Sequence, residues 1–347
     1  MRFAIGISGA TGVTGEVTLR VLEERAFPVG ELRLFASRRS AGQTLRWKGR
    51  DHPVEALEDR RFTGLDLVIS ATSAAIAREW APRMVAAGAI VIDQSSAFRQ
   101  DPAVPLVVPE INADDLDGHA GLIAGPNCTT AVAAMAVAPL ERAFGVDAII
   151  SSSYQSMSGL GRDGMAEFLD LARKAADQPE ALRGHEPLDL PAPQQFPQVP
   201  AFNVFPQCET FREGSDISTE EEKMEAELRR MLHAPDLRVH ATAVRVPVLV
   251  GHSVSLAVGL RRRASPEGAR RALAAFAGVR VLDEPWTGDY PTPLRAAGRD
   301  EVLVGRVRPL AILPNGLSLF ASGDNLRKGN ALNAVQVAER VLGVARD

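Results

Sequence analysis

The sequence predicts an α/β fold in two parts: a doubly wound parallel sheet, then an α+β region built on a mixed sheet. Three observations carry this. Short apolar runs alternate with stretches of helical spacing as far as about residue 145, the pattern of a parallel sheet. A glycine-rich turn separates the first apolar run from the first helical stretch. From Val146 the texture changes, and extended runs follow one another closely enough to pair antiparallel.

The 347 residues are enough for two substantial cores. With 46% hydrophobic and 24% charged residues the composition is that of a soluble globular protein. A net charge of −4 gives no strong field for nucleic acid or an anionic membrane. No run reaches about 18 apolar residues, so no membrane span is expected. Cys128 and Cys208 are too few for a disulfide framework, although they could pair; with no signal-like N-terminal stretch they suit a reducing cytoplasm. No metal is expected.

Phe3-Ala4-Ile5-Gly6-Ile7 is a short apolar strand that runs into Ser8-Gly9-Ala10-Thr11-Gly12-Val13-Thr14-Gly15. Residues 16–25 then have helical spacing, with Val17, Leu19, Val21 and Leu22 apolar. Strand, glycine turn and helix form the setting of a phosphate-binding loop: glycines let the backbone approach a pyrophosphate, and the helix start offers N–H donors. The spacing is Gly-x-x-Gly-x-x-Gly, and a tight turn in an ordinary βα unit is the alternative. Strand two, residues 31–36, ends in Ser37-Arg38-Arg39-Ser40-Ala41-Gly42. An acidic residue at this place would select the ribose 2′-hydroxyl of NAD; two guanidiniums and two hydroxyls suit the 2′-phosphate of NADP. A solvated basic loop is the other reading.

Leu65-Asp66-Leu67-Val68-Ile69-Ser70 is a buried strand, with Ser70-Ala71-Thr72-Ser73 at the carboxyl end where doubly wound sheets hold ligands. Residues 79–87 read as a helix. Ala89-Ile90-Val91-Ile92-Asp93 follows and ends in Gln94-Ser95-Ser96-Ala97-Phe98-Arg99, where Arg99 is either an oxyanion clamp or a surface arginine. Gly121-Leu122-Ile123-Ala124 is a further strand, followed by Gly125-Pro126-Asn127-Cys128-Thr129-Thr130 and an Ala-rich helix over 131–144. Cys128 thus stands where a strand gives way to the first turn of a helix. Free N–H groups and the helix dipole stabilise a thiolate there, so Cys128 is a candidate nucleophile, or else a buried structural cysteine.

In the second part, residues 147–154 form an extended run leading to Gln155-Ser156-Met157-Ser158-Gly159-Leu160-Gly161; Gln155 can donate to a carbonyl oxygen, and the glycines allow a ring to approach. Residues 164–176 read as a helix, and 178–210, rich in proline and glutamine, as irregular connection. Ser218-Thr219-Glu220-Glu221-Glu222-Lys223 opens a helix to about residue 232, whose charges capping alone can explain. Residues 237–248 form a strand run carrying Arg245, followed by Gly251-His252-Ser253 and a strand over 254–260. His252 is the natural acid/base partner of a cysteine, or simply a surface histidine. The last strands are 302–308 and 317–322. A helix over 331–342, with Ala331, Val335, Ala338 and Val341 on one stripe, packs on the first domain.

Taken together, these blocks resemble the aspartate-β-semialdehyde dehydrogenase family, nearly end to end. The resemblance rests on Gly9-Ala10-Thr11-Gly12, the Ser37–Gly42 and Asp93–Arg99 blocks, Pro126-Asn127-Cys128-Thr129-Thr130 and Tyr154-Gln155-Ser156-Met157-Ser158-Gly159. It continues through Ala201-Phe202-Asn203-Val204-Phe205-Pro206-Gln207, Arg245-Val246-Pro247-Val248, Gly251-His252-Ser253, Pro291-Thr292-Pro293 and Asp324-Asn325-Leu326-Arg327-Lys328-Gly329. It implies a Rossmann-type NADP-binding domain over 1–130, a catalytic and dimerisation domain with a mixed sheet over 131–322, and a C-terminal helix over 323–347 returning to the first. It implies Cys128 as nucleophile, His252 as acid/base and Gln155 orienting the thioacyl group. Arg245 would grip the substrate α-carboxylate and Glu220 its ammonium, with Arg99, Asn127 and Lys223 on the phosphate. NADP would be held by Gly9, Thr11, Gly12, Val13, Thr14, Ser37, Arg38, Arg39, Ser40, Ser70 and Ser73, with Ser158, Gly159 and Asn325 near the nicotinamide. The implied reaction reduces 4-phospho-L-aspartate to L-aspartate 4-semialdehyde in a cytoplasmic homodimer or homotetramer. N-acetyl-glutamyl-phosphate reductase shares the chemistry, but Glu220 with Arg245 suits a free amino acid. A non-catalytic NADP sensor would have no need of Cys128, Gln155, Arg245 and His252 together. Thr14, Gln94, Leu160 and Val254 depart from the family pattern, Leu160 close to the expected nicotinamide site.

Overall fold

A computed structural model describes residues 1–59 and 62–344 of the chain, so the last three residues of the expected C-terminal segment lie outside the described residues. It divides into two compact units: Met1–Ala138 with Ala226–Pro235 and the described residues from Leu326 on, and Pro139–Glu225 with Asp236–Asn325.

The first unit carries a sheet of β1 (Phe3–Ser8), β2 (Val29–Ala36), β3 (Thr44–Trp47), β4 (Arg50–Ala56), β5 (Leu67–Ser70), β6 (Ile90–Asp93) and β7 (Leu122–Ala124). Their order is β3-β4-β2-β1-β5-β6-β7, and every pairing except β3 with β4 is parallel. The chain builds outward from β1 to one side and then the other, which makes the carboxyl end of β1 the switch point where such sheets bind ligands. Successive strand residues enter different cores. Leu34, Leu67, Ile69 and Ile92 join one cluster, while Phe35, Val68 and Val91 join another. A strand with period-two side chains and a core on each face has to be apolar throughout, which is why these strands read as continuous runs.

Three differences from the sequence reading have physical reasons. The first helix is Val13–Glu24, beginning before residue 16. Gly15 is a contact glycine inside its first turn, not a loop glycine: an added Cβ would stand 2.5 Å from the Gly9 oxygen. The hairpin of β3 and β4 was not expected. Its two-residue turn, Lys48-Gly49, takes φ of 47° and 74°, and lysine in place of asparagine or aspartate hides the signal. Near the C-terminus, Arg327–Ala331 is a π-helical turn that precedes the Leu332–Val341 helix. Ala331, Val335 and Ala338 of the expected stripe are buried in the first unit's core, together with Leu332, Ala334 and Val337.

The second unit carries β8 (Val146–Gln155), β9 (Arg238–Arg245), β10 (His252–Leu260), β11 (Val279–Val281), β12 (Val302–Leu310) and β13 (Gly316–Gly323) in the order β11-β12-β13-β10-β8-β9. β8 runs parallel to β9 and β11 to β12, and the remaining pairs are antiparallel, so the sheet is mixed. Ile150 and Tyr154 of β8 point away from the core and stay exposed, with the Tyr154 ring 6.0 Å from that of Phe320. Leu160, one of the four departures from the family pattern, joins Met157, Phe168, Phe196 and Phe205 in a small apolar cluster. Gly164 makes room for it, since a Cβ there would lie 2.6 Å from the Leu160 Cβ.

Candidate active site

Cys128 is the first residue of the Cys128–Phe144 helix, and neither it nor Cys208 is in a disulfide. The helix start is fixed from two sides. Asn127 caps it: its Oδ1 accepts the backbone N–H of Thr129 at 2.9 Å and of Thr130 at 3.1 Å. The backbone N–H of Asn127 in turn donates to Glu227 Oε2 at 2.6 Å. Arg99 is buried and clasps the same turn, Nε to the Gly125 oxygen at 2.9 Å and Nη2 to the Gln94 oxygen at 2.7 Å, with Glu227 Oε1 3.5 Å from Nη1. A Cβ at Gly125 would stand 2.5 Å from the Gln94 side-chain amide, so the glycine lets that amide lie against the turn.

Glu227 is the residue that sequence reasoning missed. It is wholly buried on the Thr219–Met231 helix beside Leu228 and Met231. Its spacing from Met224 and Met231, three residues before and four after, was the available signal, and the capping explanation of that helix's charges concealed it. Near Arg99, burial raises the Asp93 carboxyl above its ordinary range, against hydrogen bonds from Ser95 and Ser70 and the Arg99 charge.

The second unit assembles the other candidates at the ends of β8, β9 and β10. The parallel register sets Gln155 opposite Arg245. Gln155 Nε2 donates to Glu220 Oε1 at 2.9 Å and to Ser153 Oγ at 3.3 Å, so its donors are engaged within the cluster. Lys223 pairs with Glu209 and stands 3.9 Å from Glu220. Arg245 Nη1 donates to the Ser156 oxygen at 2.7 Å.

His252 is fully buried at the start of β10. Its Nδ1 accepts the Ser156 N–H at 3.0 Å and lies 3.1 Å from Ser156 Oγ. An Nδ1 that accepts from a backbone N–H cannot carry the ring proton, which assigns the proton to Nε2. Nε2 makes no hydrogen bond among the described residues. It lies 3.7 Å from where a Cβ at Gly159 would stand, an ordinary contact distance. Burial, and then the Arg245 charge, push the imidazolium down to about 3. The ring is therefore neutral at pH 7 with one proton to donate.

The sign of the linkage follows. The unfolded chain takes up a proton near the ordinary histidine value while the folded chain does not, so stability falls as pH drops from 6.5 toward 3. Thermal unfolding from pH 7 to pH 5 should show a loss of about 2 kcal/mol in wild type that is absent from His252→Asn.

Ser158 and Asn325 complete this cluster. Ser158 Oγ is 3.0 Å from Asn325 Oδ1 and 2.9 Å from its Nδ2, and the Gly251 N–H donates to Asn325 Oδ1 at 2.9 Å. Ser156, which holds the imidazole through two contacts, was quoted from the sequence only as part of a block.

The glycine turn after β1 fits a dinucleotide. Gly9 has φ of 80°, and a Cβ there would lie 2.3 Å from the Ala71 oxygen. The N-cap of the following helix is Gly12, which places no side chain over the first N–H groups. Thr11, Val13 and Thr14 lie in the same turn and helix start, Ser70 ends β5, and Ser73 is the N-cap of the Ala74–Ala86 helix. That helix begins before the expected residue 79 and runs through Pro82. Ser37, Arg38 and Arg39 are exposed and Ser40 half-buried in the turn after β2.

Comparison with known proteins bears on both units. The family model of the semialdehyde dehydrogenase NAD binding domain matches residues 4–119, and that of the semialdehyde dehydrogenase dimerisation domain matches 137–328. An aspartate-semialdehyde dehydrogenase of Aquifex aeolicus is 41% identical over 98% of this chain and 98% of its own. One of Mycolicibacterium smegmatis is 43% identical over 96% and 97%. The crystal structure of aspartate semialdehyde dehydrogenase II of Vibrio cholerae complexed with ASA is 36% identical and covers both chains fully, with a TM-score of 0.91.

Proposed function

The chain belongs to the semialdehyde dehydrogenase family, and we propose on that premise that Cys128 is the nucleophile in the reduction of 4-phospho-L-aspartate to L-aspartate 4-semialdehyde with NADP as cofactor. This is the reaction of an aspartate-semialdehyde dehydrogenase, an oxidoreductase on the route to lysine, threonine and methionine. The observation that carries the reading is the seating of Cys128 at the first position of a helix whose start is fixed by Asn127 and Glu227.

The thiolate of Cys128 attacks the acyl carbon of the acyl phosphate. The carbon–oxygen bond to phosphate breaks and a thioester forms. Arg99, Asn127 and Lys223 offset the charge of the departing phosphate. Arg245 holds the α-carboxylate and Glu220 the ammonium; Glu220 then releases a Gln155 N–H, which holds the acyl group. When bound, the reduced nicotinamide supplies hydride to the thioester carbon. His252 Nε2–H donates to the oxygen that gains charge, the carbon–sulfur bond breaks, and the thiolate returns. The covalent route releases phosphate before the reduction, and the thioester that remains is electrophilic enough to accept hydride.

Gly9, Thr11, Gly12, Val13, Thr14, Ser70 and Ser73 would hold the cofactor's pyrophosphate end, and Ser158, Gly159 and Asn325 its nicotinamide end. The fit of that first set rests on the left-handed Gly9 and the uncapped helix start. Selection of NADP falls to Ser37, Arg38, Arg39 and Ser40. Arg39→Ala is expected to weaken NADP binding at least about tenfold while NAD changes less than about twofold. Equal loss for both cofactors would remove Arg39 from 2′-phosphate recognition.

The exposed apolar strip of Ile150 and Tyr154 supports a homodimer through the outer face of the second sheet. Among the described residues no helix is long and apolar enough to cross a membrane, and a cytoplasmic setting suits the reduced thiol chemistry. The substrate is tested by supplying L-aspartate 4-semialdehyde and N-acetyl-glutamate semialdehyde in turn with phosphate and NADP. The Glu220 and Arg245 pair predicts a kcat/KM preference of at least about 100-fold for the free amino acid. Equal rates, or the reverse order, would overturn the assignment.

A further inference from the structure

The π-helical turn Arg327–Ala331 lies directly against the thiol-bearing residue. It is closed by the Ala331 N–H to the Leu326 oxygen at 3.0 Å, an arrangement that is rare in proteins and frequent at functional sites. A Cβ added at Gly329 would stand 2.8 Å from the Cys128 Cβ and 3.1 Å from its Cα. Only a residue without a side chain leaves Cys128 where it is.

The turn is held by an ion pair in the core of the first unit. The Lys328 side chain is 1% exposed. Its ammonium donates to Glu110 Oε2 at 2.5 Å, Gln336 Oε1 at 2.8 Å and Asn333 Oδ1 at 3.3 Å, an acceptor for each of its three protons. Gln336 Nε2 returns a bond to Glu110 Oε1 at 2.8 Å, and Asn333 Nδ2 donates to the Val107 oxygen at 2.8 Å. On the other side, Arg327 Nη2 is tied to Glu24 at 2.7 Å. Burial alone would raise the Glu110 carboxyl, but the Lys328 charge and the hydrogen bonds outweigh it and hold the carboxyl below its ordinary range. A buried lysine–carboxylate pair is a poor way to gain stability, since well-packed apolar residues do as well or better. What such a network does give is one fixed geometry.

We infer that the Lys328–Glu110 network is a positioning device for the nucleophile: it holds Gly329 against Cys128 and so sets the direction of the thiol at the helix N-terminus. The inference rests on Cys128 being the nucleophile. Lys328, Glu110 and Gln336 act through the π turn and are positioning residues, as is Gly329.

The test measures the alkylation rate of the Cys128 peptide by iodoacetamide at pH 7, with kcat, KM and Tm, on the full chain and on Gly329→Ala and Gln336→Leu. Gln336 is half-buried, and leucine there removes one acceptor from Lys328 and one donor to Glu110 without touching Cys128. The alkylation rate should fall at least about fivefold in both, and kcat about tenfold in Gln336→Leu and about 100-fold in Gly329→Ala, with KM within about twofold. A lowered Tm with wild-type alkylation and kcat would overturn the inference, because a merely structural network moves stability alone. Should Gly329→Ala not fold, Gln336→Leu decides by itself. Cys128→Ala separates the two claims. Activity surviving in it defeats the nucleophile assignment, whereas its inactivity beside normally reactive Gly329→Ala and Gln336→Leu defeats only the positioning role.

Discussion

Cys128→Ala should lower phosphate-dependent NADP reduction by at least about 10⁴-fold. Without Sγ no thioester forms, and neither His252 nor Gln155 can replace it. His252 presents a protonated Nε2, and the amide of Gln155 is not a nucleophile because its nitrogen lone pair is delocalised. The residues proposed to bind the cofactor are untouched, so the dissociation constant for NADP should stay within about twofold and separate lost chemistry from lost binding. Retention of more than about one-hundredth of the wild-type rate would be incompatible with covalent catalysis.

His252→Ala should lower kcat by about 10² to 10³ while leaving KM within about threefold. The proton on Nε2 makes the ring a donor to developing negative charge, and that charge exists only after the carbonyl carbon is attacked. His252→Asn, which offers an amide N–H, should recover part of the loss, about tenfold. Two further readouts mark this role. Cys128 alkylation should be unchanged in His252→Ala, because a ring protonated at Nε2 is not the base that ionises the thiol. The wild-type kcat should show no histidine inflection between pH 5 and pH 8, since burial and the Arg245 charge keep the ring neutral down to about 3. An inflection near pH 6.5 that disappears in His252→Ala would instead make the imidazolium the working form.

What the sequence made legible was whatever local chemistry has to spell out. The Gly9 turn, the switch to a mixed sheet after Val146, and Cys128 at a strand-to-helix junction each leave a pattern in neighbouring residues. What stayed hidden depends on distant partners. Glu227 reads as another helix-face carboxylate until the Asn127 N–H is found 2.6 Å away, one hundred residues back in the chain. Lys328 belongs to a residue type that is almost always solvated, and nothing adjacent shows that it is buried on Glu110, 218 residues away. The cap formed by Asn127 was readable from its residue type and place, although the sequence reading gave it to phosphate alone. The π turn had no signal, because π and α turns share one periodicity to within a residue.

The most direct test of the covalent account follows NADPH formation when the wild-type chain is mixed with L-aspartate 4-semialdehyde and NADP, with and without phosphate. With phosphate the account predicts continuous turnover. Without it, the thioester on Cys128 has no acceptor, so NADPH should appear as a single burst of about one equivalent per chain and then stop. Steady turnover at the same rate without phosphate, or the absence of any burst, would contradict a thioester at Cys128.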